Sequence, residues 1–251
     1  MYRQFENPVG NEDEIEIQPW PPVELVGRAA VLASLARRYA IELELAEGGD
    51  AFDLETERFD LSAWARTELG SWLTDDELRV LNTPNGQFTD EDADLCEDAI
   101  VGGVAVIWAL GVVTLDRLPW DQVDELEQQL LDWAPQPWGS VRPLVKRARL
   151  RSDEDLAAER ERWELWYWRS NFDDELDAED RAAIAETAGE AQEAGLIAMR
   201  AGDFLVDERT YGELDPLERE AVAATSYARL RALNWVCGLG ETWETTPLFL
   251  D

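Results

Sequence analysis

Residues 99–113 read AIVGGVAVIWALGVV and contain no charged side chain. The run is shorter than the roughly 20 apolar residues that a membrane-spanning helix needs. It follows an acidic stretch, Asp90–Asp94, and carboxylates favour the first turn of a helix. We therefore predict a helix that is buried on all sides in the core, where Gly102 and Gly103 let neighbouring helices pack closely.

Other helices are predicted from their capping residues and their apolar spacing. Thr74 with Glu77 and Ser152 with Asp155 are spaced as capping boxes, and Asp215 precedes a proline as an N-cap does. The last helix should stop at Gly238, a residue typical of the position after a helix. Together these signals predict helices over about 22–42, 61–71, 75–82, 90–113, 121–133, 153–170, 177–194 and 215–237.

The predicted fold is all-α, with two packed halves and one small β-hairpin near 202–211. The hairpin is indicated by Phe204, Val206 and Tyr211, which flank a charged turn. Residues 1–20 are predicted to be an acidic flexible arm, and 21–251 a single helical domain. Its halves, about 21–133 and 144–251, are joined by a proline-rich connection that we expect to be packed.

The charge of the chain excludes several classes of function. Among 251 residues there are 55 acidic and 22 basic side chains and no histidine, so the formal charge is −33. Without histidine, a Ser-His-Asp triad, an HExxH zinc site and a histidine general base are excluded. An acidic surface repels nucleic acid and anionic membranes, so we expect direct binding to neither. Adaptation to high salt is an alternative origin of the charge.

No metal, cofactor or catalytic residue is predicted. Residues 90–101 lack the glycine and the final glutamate of an EF-hand loop. Cys96 and Cys237 are too few for a zinc cluster, and their apolar neighbours predict two buried free thiols, which suit a reducing cytoplasm. Met1–Gly10 lacks the pattern of a signal peptide, so we expect a cytoplasmic protein.

Two further segments could bind a ligand or serve the fold. In 162–169 (RWELWYWR), Trp163, Trp166 and Tyr167 share a helical face that could stack a ligand ring, although a core face is the favoured interpretation. The second segment, which we call the basic segment, comprises Arg142, Lys146, Arg147, Arg149 and Arg151. It could receive a phosphate or a carboxylate, but we favour contact with an acidic surface of the fold or of a second copy.

Four elements resemble a bacterial family catalogued as domain of unknown function 4272. They are residues 229–240 (RLRALNWVCGLG) with Glu241–Trp243, 107–111 (IWALG), 150–152 (LRS), and 202–204 (GDF) followed by Tyr211 and Glu213-Leu214. The resemblance extends from about residue 22 to 247, and its most specific part is Ala-Leu-Asn-Trp at 232–235. It implies a mostly helical fold of this size and transfers no catalytic residue.

Two functions follow as hypotheses. The first is a non-enzymatic interaction protein that binds a basic partner, as an immunity protein or an inhibitor does. The alternative is a small-ligand binder or an enzyme with a pocket between the halves. The candidate pocket residues are Arg151, Trp166, Arg229, Asn234 and Trp235. Asn234 could instead bridge a buried backbone group.

Overall fold

A computed structural model describes residues 17–115, 123–172 and 175–249. The described residues are mainly helical and contain one small antiparallel sheet, which confirms the predicted fold class. The helices are α1 (Pro22–Ala46), α2 (Ala51–Glu68), α3 (Asp75–Asn82), α4 (Asp90–Ala109), α5 (Val123–Trp133), α6 (Arg142–Arg147), α7 (Asp153–Ser170), α8 (Ala178–Glu193) and α9 (Pro216–Val236).

The sheet lies in the predicted hairpin region and has one strand more than expected. Strand β1 (Met199–Arg200) pairs with β2 (Asp203–Val206), which pairs in turn with β3 (Arg209–Thr210). Phe204 and Val206 on β2 are fully buried, whereas β1 and β3 are partly exposed. The central strand thus packs on the helical core, where Phe204 contacts Trp166 and Trp168 of α7.

Helix α4 is the central element of the core. Every residue from Ala99 to Ala109 is buried, and α4 packs against α1, α5 and α9. A Cβ at Gly103 would lie 2.6 Å from Leu130 Cδ2 and 3.2 Å from Leu32 Cβ, whereas one at Gly102 would meet nothing closer than 3.6 Å. The absence of a side chain at Gly103 therefore allows the close approach of α1 and α5.

The end of α4 differs from the prediction by four residues. The helix stops at Ala109 instead of 113, because Gly111 adopts a left-handed conformation with φ of 69°. The amide of Gly111 donates to the Trp108 carbonyl at 2.8 Å, and the amide of Val112 donates to the Ile107 carbonyl at 3.0 Å. This is a Schellman motif, and the apolar run that follows it had hidden the stop.

Helix α2 begins ten residues before its predicted start. Asp50 caps it, accepting hydrogen bonds from the amides of Phe52 at 2.9 Å and Asp53 at 3.0 Å. Phe52 and Phe59 lie on its outer face with exposed fractions of 80% and 65%. Since apolar side chains occupy both faces, the spacing did not indicate the true start.

The proline-rich connection packs on α2, as predicted. The indole of Trp64 donates to the Gly139 carbonyl at 2.8 Å, and Glu68 accepts from the Ser140 hydroxyl at 2.9 Å and the Val141 amide at 3.0 Å. The short helix α6 follows directly and was missed, because it lies in the segment interpreted as connection and basic stretch.

The predicted acidic arm falls largely on residues 1–16, which lie outside the described residues. Residues 17–20 pair with the end of α9. The Gln18 amide donates to the Cys237 carbonyl at 2.9 Å, and the Trp20 amide donates to the Val236 carbonyl at 3.1 Å. A Cβ at Gly238 would lie 2.2 Å from the Gln18 carbonyl oxygen, so this pairing requires the glycine.

The two halves share one core in the described part of the chain. A continuous cluster of buried side chains extends from Leu25 in α1 to Cys237 after α9. Cys96 and Cys237 are both buried and free, as predicted. No described helix has both the length and the apolar composition needed to cross a membrane.

The glycine pair in α4 yields the first testable prediction. Gly103→Ala should unfold more readily than Gly102→Ala, by about 2 kcal/mol, because only a Cβ at Gly103 requires the fully buried Leu130 side chain to shift. Both changes bring the same gain in helix propensity, so each is the control for the other. Urea unfolding measures the difference, and equal stabilities would contradict the close packing at Gly103.

Candidate functional site

A cavity of about 350 Å³ opens between α3, the first half of α4, α9 and the loop after α9. Leu32 and Leu35 of α1 are among its apolar residues, and Trp243 also lines it. We call it the acidic cleft, because six carboxylates face one guanidinium, that of Arg231. The carboxylates are Asp76, Glu77, Glu91, Asp94, Asp98 and Glu244.

Some acidic residues around the cleft are explained by helix capping. Glu77 completes a capping box with Thr74 and forms a buried ion pair with Arg28. Asp92, just outside the cleft, completes a box with Thr89 and accepts from Arg79 at 2.6 Å. These carboxylates already have their counter-charges and stabilise the starts of α3 and α4.

Other carboxylates in the cleft have no such partner. Glu91, Asp94, Asp98 and Glu244 form no hydrogen bond or ion pair with the described residues, so capping does not account for them. Among these four, Asp98 lies deepest along α4, directly before the fully apolar segment. The cleft therefore holds negative charge that the described part of the fold does not neutralise by contact.

Asp98 is the most perturbed of these carboxylates. Burial raises its pKa from 3.8 to about 6; the guanidinium of Arg231 lowers the pKa, and Asp94 and Glu97 raise it further. At neutral pH the carboxylate is mostly ionised, in a position that disfavours its charge. A cation placed in the cleft would relieve this cost.

Trp243 gives the cleft an aromatic wall held by two arginines. The guanidinium of Arg28 lies 4.8 Å and that of Arg231 5.3 Å from the indole ring centroid. Arg231 also donates to the Trp243 carbonyl at 3.3 Å. A ligand with a positive head and an alkyl stem would find both carboxylates and apolar surface here.

The five residues predicted from the sequence to line a pocket do not form one cluster. Arg151 lies at the end of α4, where its Nε donates to the Trp108 carbonyl at 2.8 Å and its Nη2 to the Val113 carbonyl at 3.1 Å. Its guanidinium also lies 4.6 Å from the ring centroid of Trp108. Arg151 therefore caps the carboxyl end of α4.

The two predicted tryptophans pack in different parts of the core. Trp166 contacts Phe204 of β2 edge to face at 5.1 Å between ring centroids. Trp235 stacks on Trp20 at 6.1 Å and meets Trp243 edge to face at 5.5 Å. Both side chains are at least 94% buried. For Trp166, this agrees with the favoured interpretation that the aromatic face of 162–169 belongs to the core.

Asn234 and Arg229 belong to a buried polar layer between α7 and α9. Asn234 accepts from Arg160 Nε at 2.7 Å and donates to the carbonyls of Pro247 at 2.8 Å and Leu248 at 3.1 Å. Arg229 is fully buried, with its guanidinium 4.4 Å from the Trp163 ring centroid. The fully buried Asn234 side chain thus bridges backbone carbonyls, which is close to the alternative role considered for it.

None of the five lines the acidic cleft, and its key residues were missed from the sequence. Asp98 lies outside the acidic stretch 90–94 considered in the sequence, and Trp243 was noted only as part of the family resemblance. No local pattern indicated the cleft, because its walls come from helices that are distant in the sequence.

Comparisons of the chain with protein-family models, with curated proteins and with solved structures find no match. Within the described ranges, no three carboxylate or thiol side chains are grouped as a metal site requires. The functional inference therefore depends on the geometry of the cleft.

Replacing Asp98 tests the energetic cost of its charge. A group with a raised pKa stabilises the fold at low pH, and that contribution is lost as the pH rises through about 6. Asp98→Asn should therefore increase the free energy of unfolding by about 1–2 kcal/mol at about pH 8 and by little at about pH 4. Denaturant unfolding at several pH values measures this.

Asp94→Asn is the matched control for that experiment. It removes the same charge from the same cleft at an exposed position, so its effect on the free energy of unfolding at about pH 8 should be smaller than that of Asp98→Asn. A destabilised Asp98→Asn variant at about pH 8 would show that the carboxylate is stabilised in the fold, contrary to its raised pKa.

Replacing Asn234 tests the buried polar layer. Asn234→Ala should destabilise the protein by about 2–4 kcal/mol, because it leaves the buried Arg160 Nε and the carbonyls of two partly buried residues without their partner. Asn171, an exposed amide that donates to the Tyr167 carbonyl at 2.7 Å, is the control, and Asn171→Ala should cost less than about 1 kcal/mol. Thermal unfolding that ranks the two equally would contradict the bridging role.

Proposed function

We propose that this chain is a non-enzymatic interaction module that binds a basic protein partner, of the immunity or inhibitor type. The acidic cleft receives an arginine or lysine side chain of that partner. The observation that carries the proposal is Asp98, a partly buried carboxylate that lines an open cavity and has no ion-pair partner among the described residues.

The cost of keeping Asp98 ionised supports this role. A desolvated carboxylate destabilises the isolated fold at neutral pH, whereas a guanidinium or an ammonium group entering the cleft would offset that cost. Residues that destabilise the free protein and become stabilised when a partner binds are typical of functional sites. Residues that serve the fold alone, such as Glu77 and Asp92, already have their counter-charges.

The remaining surfaces of the cleft suit the stem of a basic side chain. Trp243 lines the cleft together with Leu32, Leu35 and Leu95, and this apolar lining suits the alkyl part of an arginine or lysine side chain. The positive charge of Arg231 repels a second guanidinium. We therefore expect the guanidinium of the partner to stop beside Asp94 and Asp98. Arginine, with its planar set of donors, could bond both carboxylates.

The overall charge supports the same class of partner. A formal charge of −33 creates a long-range field that would speed the encounter with a basic protein and make binding sensitive to salt. Membership of the domain of unknown function 4272 family and a cytoplasmic location are parts of this proposal. The first rests on the resemblance, and the second on the free thiols, which suit a reducing compartment.

The test uses two double variants that remove equal charge from different places. Asp94→Asn with Asp98→Asn alters the cleft, whereas Glu208→Gln with Glu220→Gln alters exposed positions in the hairpin and on α9. The unaltered protein, immobilised at low salt, is exposed to a lysate of its source cells. Proteins released by a salt step are identified, purified and titrated against all three forms.

The proposal expects a basic partner that the unaltered protein and the Glu208/Glu220 variant bind within about twofold of each other. The Asp94/Asp98 variant should bind it at least about 30-fold more weakly, since two charge-assisted contacts are lost. Recovery of no partner, binding that ignores salt, or equal loss in both variants would each overturn the proposal.

The alternative function, a small-ligand binder or an enzyme, is supported by a different observation. A second cavity lies where α1, the end of α4, α5 and α6 meet, which is the junction of the two predicted halves. The five residues first proposed for such a pocket do not line it.

A further inference from the structure

We infer that this second cavity binds a small amphipathic anion, with an apolar body inside and a singly charged head group on Arg147. The cavity measures about 340 Å³, within the range of small-molecule sites. This inference is independent of the acidic cleft and of a basic partner.

The walls of the cavity are mainly apolar. They come from four separate elements: Val26 of α1, Leu110 and Val112 at the end of α4, Trp133 of α5, and Leu144 of α6. Val112 lies at the mouth of the cavity, and 47% of the surface of this apolar residue is exposed to solvent. An alkyl or aryl body would cover this surface and gain the free energy of burial.

The head-group position is defined by Arg147, the last residue of α6. Arg147 lines the cavity and is exposed, and it forms no ion pair with the described residues. Its Nε donates to the Pro143 carbonyl at 3.2 Å, which orients the guanidinium, and neither of its Nη groups bonds a described residue. Those two groups can bind the two oxygens of a carboxylate or a sulfonate.

The surroundings of Arg147 are positively charged, against the trend of the chain. Arg142, Lys146 and Arg149 are exposed and likewise form no ion pair with the described residues. The expected contact of this basic segment with an acidic surface of the fold is therefore not seen within the described ranges. In a chain of formal charge −33, this is a local field that can attract an anion.

Asp132 restricts the charge of the ligand. It also lines the cavity, and it accepts a hydrogen bond from Gln128 at 2.6 Å. A carboxylate at this position repels a second negative charge, so a dianionic phosphate is disfavoured relative to a monoanion. The chemistry of the cavity thus fits a carboxylate or a sulfonate attached to an apolar chain or ring.

Octanoate is the probe, and isothermal titration calorimetry of the full chain is the measurement. We expect saturable binding with a Kd of about 1 mM or tighter. Butyrate, which has the same head group and four fewer methylenes, should bind at least about 30-fold more weakly. Octan-1-ol, which lacks the charge, should bind about tenfold more weakly.

Two matched cation variants locate the site. Arg147→Gln should weaken octanoate binding about tenfold, whereas Arg142→Gln, on the same short helix but outside the cavity, should change it less than about twofold. Ala148→Phe places a ring in the cavity and should abolish binding. Melting curves confirm that each variant is folded, and Arg147→Gln, at an exposed position, tests the site even if Ala148→Phe unfolds.

Three results would overturn the inference. They are the absence of saturable octanoate binding, equal binding by octanoate and octan-1-ol, and equal effects of Arg147→Gln and Arg142→Gln. The Asp94/Asp98 variant should bind octanoate as the unaltered protein does. Failure at this cavity is thereby distinguished from failure of the acidic cleft.

Discussion

The close approach of α1 and α5 to Gly103 is the contact on which the rest of the structure depends. It places the apolar half of α4, Ala99–Ala109, at the centre and lets α9 pack along another side. The two cavities lie towards opposite ends of α4. The acidic cleft lies along residues 91–99, and the second cavity lies at Leu110 and Val112.

The chemistry of the two cavities follows the direction of α4. Carboxylates gather at its amino end, where the helix dipole and the capping box favour them, and Arg151 of the basic segment caps its carboxyl end. One helix therefore separates a site suited to cations from a site suited to anions. The net charge of the whole chain does not reveal this difference, because it sums the charges of both ends of α4.

The fold class was predictable because its signals are local. The capping residues Thr74, Ser152 and Asp215 and the stop at Gly238 depend on neighbours within a few positions, and the structure confirms them. The start of α2 was not predictable, since exposed phenylalanines on its outer face made the apolar spacing ambiguous.

The acidic cleft was missed for another reason. The burial of Asp98 depends on how α3 and α9 pack beside α4, and no local sequence pattern encodes that packing. Asn234 was singled out from the sequence as a candidate pocket residue. Its contacts in the fold, however, include backbone carbonyls 13 and 14 residues away.

The pairing of Gln18 and Trp20 with the end of α9 joins segments more than 200 residues apart in the chain. Contacts of such sequence separation form late, because a long loop must close before they are gained. During synthesis, residues 17–20 must wait until nearly the whole described chain has left the ribosome. The stacked indoles of Trp20 and Trp235 can therefore meet only after α9 has been synthesised.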